Sequence, residues 1–134
     1  VTEYIAHRTS DKVKIVTHLP ETSVTLPLNA SLFGWVIENL CKNAIDAMDG
    51  VGRITISVTD SSNRWYIDVE DTGKGIIKSK HQTVFTPGYT TKKRGWGLGL
   101  SLARRIVEEY HSGRIFVKQS ELNKGTVFRI ELKK

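Results

Sequence analysis

"WYIDVEDTGKGI", residues 65–76, decides how the rest of the chain is read. Trp65, Ile67 and Val69 alternate with Tyr66, Asp68 and Glu70, the period-two pattern of a strand with one buried face. Asp71 continues the parity of the apolar set, so the pleat aims its carboxylate at the core. A buried carboxylate is costly unless it is paired. No cation follows immediately; Gly73 and Gly75 do, and glycine lets backbone come close. Two readings stand for Asp71 on these residues alone: an acceptor for a buried ligand donor, or an acid that opens a turn.

Upstream, the period is helical. From Asn29 to Met48, Phe33, Ile37, Leu40, Ala44 and Met48 recur at three- and four-residue steps, with Asn29 as N-cap and Gly50 just past the end. Before this helix, Val13–His18 and Val24–Leu26 read as strands. After it, Ile54, Ile56 and Val58 alternate, and "DSSN" at 60–63 turns the chain into the Trp65 strand. Residues 72–97 show no period and many turn formers, which predicts a long mobile loop. A second helix is expected from about Leu98 to Gly113, carrying Leu98, Leu102, Ile106 and Tyr110 inward. Ile115 and Val117 mark a strand, and "NKG" turns into a last strand, Thr126–Leu132.

The 134 residues suit one domain, with 39% hydrophobic and 25% charged residues. No apolar run approaches the roughly 20 residues of a membrane span, and a signal-peptide pattern is absent, so a cytoplasmic chain is expected. The single cysteine, Cys41, excludes an internal disulfide and reads as a buried core thiol. Net charge is +6, but residues 72–107 contain eight Lys and Arg and no acid, which leaves −2 for the remainder. A basic chain weakly suggests nucleic acid; a basic segment confined to one glycine-rich stretch suggests a small polyanion, with phosphates the natural candidate.

Asn39, Asn43 and Asp46 fall at i, i+4 and i+7 on the first helix, one polar stripe beside its apolar face. Amide oxygens one turn apart suit a hard cation such as Mg²⁺; a solvated helix face is the other reading. Glu38 and Lys42 form an i, i+4 pair beside it. "GWGLGL" at 95–100 opens the second helix, where glycine-lined N–H groups can receive phosphate. It is neither a Walker loop nor a dinucleotide fingerprint. Thr126 shares the inward face of Phe128, Ile130 and Leu132, placing a hydroxyl at the rim of the core.

"ENLCKNAIDAM" (38–48), "DTGKGI" (71–76), "VFTPGYTTK" (84–92) and "GWGLGL" (95–100) resemble, in order and spacing, the N, G1, F and G2 boxes of the sensor histidine kinase ATP-binding domain. "NKGTVFRIEL" (123–132) is similar to that family's final strand, and the "TTK" before G2 is most like the nitrogen-regulation-type kinases. The broader superfamily includes Hsp90, gyrase B and MutL-type ATPases. The resemblance implies an α/β (α+β) two-layer sandwich, the Bergerat fold, with a mixed sheet covered on one face by helices. It implies ATP and Mg²⁺ as cofactors. Asn43 matches the Mg²⁺ asparagine, with Asn39 one turn before it and Asp46 after it. Asp71 matches the acid that receives the adenine amine, above Gly73, Gly75 and Ile76. Phe85 matches the lid anchor, and Thr91 and Lys92 the lid near the terminal phosphates. Gly95, Gly97, Leu98, Gly99 and Leu100 match G2, and Thr126 the hydroxyl near adenine. Asn39, Asn43 and Lys92 are thereby the implied catalytic positions.

Two departures follow. ATPases of the superfamily that hydrolyse with their own base carry Glu four residues before the Mg²⁺ asparagine, where this chain has Asn39. None of His7, His18, His81 and His111 lies in a phosphoacceptor setting. The expectation is therefore a catalytic domain at 13–134 behind a 1–12 tail, excised from a kinase that is a homodimer and can be membrane-anchored. It would donate the γ-phosphoryl group to a histidine on a separate dimerisation domain, with a response regulator receiver domain downstream and no nucleic-acid partner. The alternatives are a nucleotide-binding module without transfer and a self-contained ATPase.

Overall fold

The computed structural model describes residues 12–18, 30–87 and 99–133. Five strands form one mixed sheet: β1 (Val13–His18), β2 (Gly52–Asp60), β3 (Arg64–Asp71), β4 (Arg114–Glu121) and β5 (Gly125–Lys133), in the spatial order β1-β2-β3-β5-β4. β1 runs parallel to β2, which requires a crossover; helix α1 (Ala30–Ala47) lies between them in the chain. The remaining pairs are antiparallel. Ile54 and Ile56 of β2, Ile67 and Val69 of β3, Ile115 of β4, and Phe128, Ile130 and Leu132 of β5 supply the buried face. Against it lie Phe33, Ile37, Leu40, Ala44 and Met48, the helical stripe visible in the sequence, widened by Val36 and Cys41. Asn29 and the 24–26 strand expected from the sequence lie outside the described residues.

The other face of the sheet is polar. Asp68 holds Arg129 through two hydrogen bonds, Oδ1 from Nε at 2.8 Å and Oδ2 from Nη2 at 2.9 Å. The same guanidinium lies 4.6 Å from the Tyr66 ring centroid. Cross-strand charge pairs of this kind finish a solvated sheet face.

Two expectations are corrected. The 72–97 stretch is not a structureless loop in its described part. It forms two 3₁₀ turns, Lys78–Lys80 and Thr83–Phe85, and Val84 and Phe85 are buried. Two apolar neighbours give no period, yet they are enough to pin a short segment. The second helix also faces differently. Helix α2 (Gly99–Arg105) passes into a π turn, Ile106–Tyr110. Ala103 and Val107 face the core at 0% exposure, while Leu102 and Tyr110 stand out at 40% and 63%. Apolar residues surround this helix on more than one side, so periodicity alone selects no face. Ala103 is small enough to let the helix approach its neighbours closely.

Candidate functional site

Asp71 ends β3 between Ile54 of β2 and Thr126 of β5. Asp71 and Thr126, at 5% and 4% exposure, are the buried polar residues of the described core. Burial pushes the Asp71 carboxyl upward; the backbone N–H groups of Gly73 and Thr126 pull it back, and the Glu70 charge adds to the rise. Gly73 N–H donates to its Oδ1 at 2.9 Å. Among the described residues the carboxylate makes no ion pair. An acid held by backbone donors alone keeps acceptor capacity for a ligand. The Gly73 contact is that of an acid opening a turn, and it leaves the second carboxylate oxygen as a candidate acceptor.

The segment after Asp71 is held on two sides. A Cβ on Gly73 would lie 2.6 Å from the Ala47 carbonyl oxygen, and Lys74 N–H donates to that oxygen at 2.9 Å. Gly75 has φ +79° and would drive a Cβ into the Glu121 carbonyl. Asn123 N–H donates to Lys74 O at 2.8 Å. Residues 72–76 therefore run between the end of α1 and the β4–β5 hairpin, which is what their glycines are for. Ile76, half-buried, packs on the core.

On α1, Asn39 and Asn43 are half-buried and Asp46 is exposed. Asn39 Nδ2 donates to Trp35 O at 3.0 Å, and its Oδ1 lies 3.0 Å from where a Cβ on Gly99 would stand. The start of α2 is thus brought onto the amide stripe of α1. Leu100 is half-buried against the core. Phe85 meets Phe128 edge-on at 6.0 Å, and the Arg104 guanidinium sits 5.3 Å from its ring centroid. Thr91, Lys92, Gly95, Gly97 and Leu98 lie outside the described residues. A cleft of about 110 Å³ lined by His81, Gln82, Arg104, Glu108 and Arg114, among others, shares only Phe85 with this set.

Sequence reasoning missed Ser120. In β4, Ile115 and Val117 oppose Ile130 and Phe128 on the buried face, which would send Gln119 inward and Ser120 outward. A bulge between Val117 and Gln119 shifts the parity, and Ser120 comes opposite Thr126. Its hydroxyl accepts from Ile76 N–H at 2.6 Å and lies 2.8 Å from Thr126 Oγ1. The turn glycine at 125 and the hydroxyl strand were readable; the bulge was not.

Residues 29–134 match the family described as "Histidine kinase-, DNA gyrase B-, and HSP90-like ATPase". The chain is 45% identical over 98 residues to the sensor histidine kinase ZraS of Salmonella typhi, covering 72% of this chain and 21% of that protein. It is 39% identical over 97 residues to sporulation kinase C of Bacillus subtilis, covering 72% and 22%. The chain thus spans about a fifth of the length of these curated relatives. The nucleotide-free catalytic domain of histidine kinase ThkA superposes with a TM-score of 0.82 at 29% identity, covering 99% of this chain and 86% of that one. ThkA in complex with the response regulator protein TrrA gives a TM-score of 0.79 at 27% identity, covering 99% and 36%. Fold and sequence agree: this chain belongs to the histidine kinase-, DNA gyrase B- and HSP90-like ATPase family and is homologous to the catalytic domains of sensor histidine kinases.

Proposed function

We propose that the chain, from residue 13 onward, is the ATP-binding catalytic domain of a two-component sensor histidine kinase, with residues 1–12 a tail from a preceding dimerisation region. The buried Asp71 carboxylate, held by backbone donors and set opposite Thr126, carries this reading, because it is an acceptor built into the core of a family of ATPases. Asp71 receives the exocyclic amine of adenine. Gly73 and Gly75 bring backbone beneath the base, with Ile76 against it. Thr126 borders the same position. GTP presents a carbonyl there, setting acceptor against acceptor, which disfavours it.

Asn39, Asn43 and Asp46 fit Mg²⁺ by donor type, since a hard cation that keeps waters and phosphate oxygens needs few protein oxygens. Asn43 would hold it, with Asp46 one turn further on. The chemistry Mg²⁺ would supply there is the offsetting of phosphate charge during in-line transfer. Thr91, Lys92, Gly95, Gly97, Leu98, Gly99 and Leu100 form the phosphate side, with Lys92 a further cation. An amide at Asn39 cannot accept a proton from water as a carboxylate would, so hydrolysis is slow and the γ-phosphoryl group passes to a histidine on the dimerisation domain of a homodimeric, cytoplasmic kinase portion. A response regulator receiver domain accepts it next. The similarity to ThkA, solved with its response regulator, supports that partner class.

Calorimetry of Mg·ATP binding to wild type and Asn43→Ala, followed by transfer to a supplied dimerisation domain, tests the reading. Binding should fall at least tenfold in the variant if one charged-group contact is lost. Equal binding overturns the metal assignment. Binding without transfer would leave a nucleotide-sensing module in its place.

A further inference from the structure

Ser120 is the point where three parts of the site meet. Ile76 N–H, from the glycine segment, donates to its Oγ at 2.6 Å. Gly125 O, in the hairpin, lies 3.2 Å away and can only accept. Thr126 Oγ1 lies 2.8 Å away and can donate or accept. Ser120 has one hydroxyl proton. All three contacts form together only when that proton goes to Gly125 O and Thr126 donates its own to Ser120. Thr126 then has lone pairs left and no proton.

We infer that Ser120 is a positioning residue that makes Thr126 an acceptor, so that two acceptors, the Asp71 carboxylate and the Thr126 hydroxyl, select a nucleobase edge carrying an amine with two N–H groups. The inference rests on the nucleotide reading above and assigns a specificity role to a side chain that the bulge in β4 turns toward the core. Asp71 and Thr126 are directly opposed in the β3–β5 ladder, which puts their side chains close enough to serve one exocyclic group. Without Ser120, the Thr126 proton is no longer committed and its hydroxyl can rotate to present that proton to the site, so its lone pairs are no longer held toward the amine.

The probes are ATP and purine riboside triphosphate, which has hydrogen in place of the amine and is otherwise the same. Wild type should favour ATP. In Ser120→Ala, ATP affinity should fall while that for the amine-free nucleotide stays, narrowing the ratio by about tenfold, the effect of one buried hydrogen bond. A merely structural role would weaken both nucleotides alike and leave the ratio unchanged, and that result overturns the inference. Should Ser120→Ala fail to fold by circular dichroism, Ser120→Cys, similar in shape with a weak donor, is judged by the same ratio. Failure of wild type to bind either nucleotide would overturn the nucleotide reading itself, which separates the two.

Discussion

At the scale of single residues, the site contains an acid that the fold disfavours in its charged form. Burial raises the Asp71 pKa more than its backbone hydrogen bonds lower it. A carboxyl with a raised folded pKa contributes stability that is fully present below the unfolded value and is lost as pH rises through the folded one. The ligand-free domain should therefore gain stability from Asp71 as pH falls toward 3.8. Asp71→Asn removes the charge and keeps an oxygen for Gly73 N–H. Urea unfolding should find this variant at least as stable as wild type at neutral pH, the difference closing as the medium becomes acidic, while ATP binding drops. A variant less stable than wild type at neutral pH would mean that the carboxylate is a structural turn acid and not a ligand acceptor held at a cost. Gly73 and Gly75 belong to the same scale: each stands where backbone passes backbone too closely for a Cβ.

At the scale of elements, Phe85 is the largest buried side chain in the described part of the segment between β3 and α2, beside Val84. Phe85 is buried, meets Phe128 edge-on and lies beneath Arg104. Truncation to Ala should cost roughly 3 kcal/mol, at the lower end for a large core aromatic. The two 3₁₀ turns should loosen with it, since the ties that remain are smaller: Val84, and His81 Nε2 to Ile76 O at 2.9 Å. Limited trypsin digestion should then cut faster at Lys78 and Lys80, both exposed. Unchanged cleavage in a folded Phe85→Ala protein would show that the turns hold themselves. Helix α2 illustrates a related point. Its i, i+4 ion pairs, Arg104–Glu108 at 3.3 Å and Arg105–Glu109 at 2.8 Å, sit on its solvated side and stabilise it little. Ala103 and Val107 decide how it docks.

At the scale of the whole molecule, the core is closed by α1 on the sheet, and Cys41 reports on that closure. It is buried on α1, and burial together with the Glu38 charge pushes its thiol up to about 12 from 9.0. The thiol is therefore protonated and shielded in the folded domain, and its pKa shift contributes stability present below pH 9.0 and lost as pH rises toward 12. A disulfide exchange reagent at pH 8 should label Cys41 only as fast as the domain opens globally. Saturating Mg·ATP should slow labelling by the factor that binding adds to stability, about a hundredfold at one hundred times the dissociation constant. Rapid labelling without denaturant would place the thiol in a local opening of α1 and not in a cooperative core.

Where one face is buried and the other wet, the amino-acid pattern alone carried the structure: the α1 stripe, the parity of β3 down to Asp71, and the alternation of β5 from Thr126 to Leu132 all appear as written in the sequence. The reason is that a one-residue slip would exchange core for solvent along a whole strand, so polarity specifies register. Asp71 and Thr126 were legible as buried polar residues, and so as candidate site residues, on the same ground, because each is a polar group at a position the period assigns to the core. Tertiary structure decided what polarity leaves open. The inward side of α2 depends on which of several apolar stripes fits against α1 and β4. The order of strands, with β5 between β3 and β4, depends on long-range pairing that no local pattern records. Ser120 reaches Thr126 only because one extra residue in β4 reverses the alternation there, and a bulge is a property of two strands in register, not of either sequence taken singly.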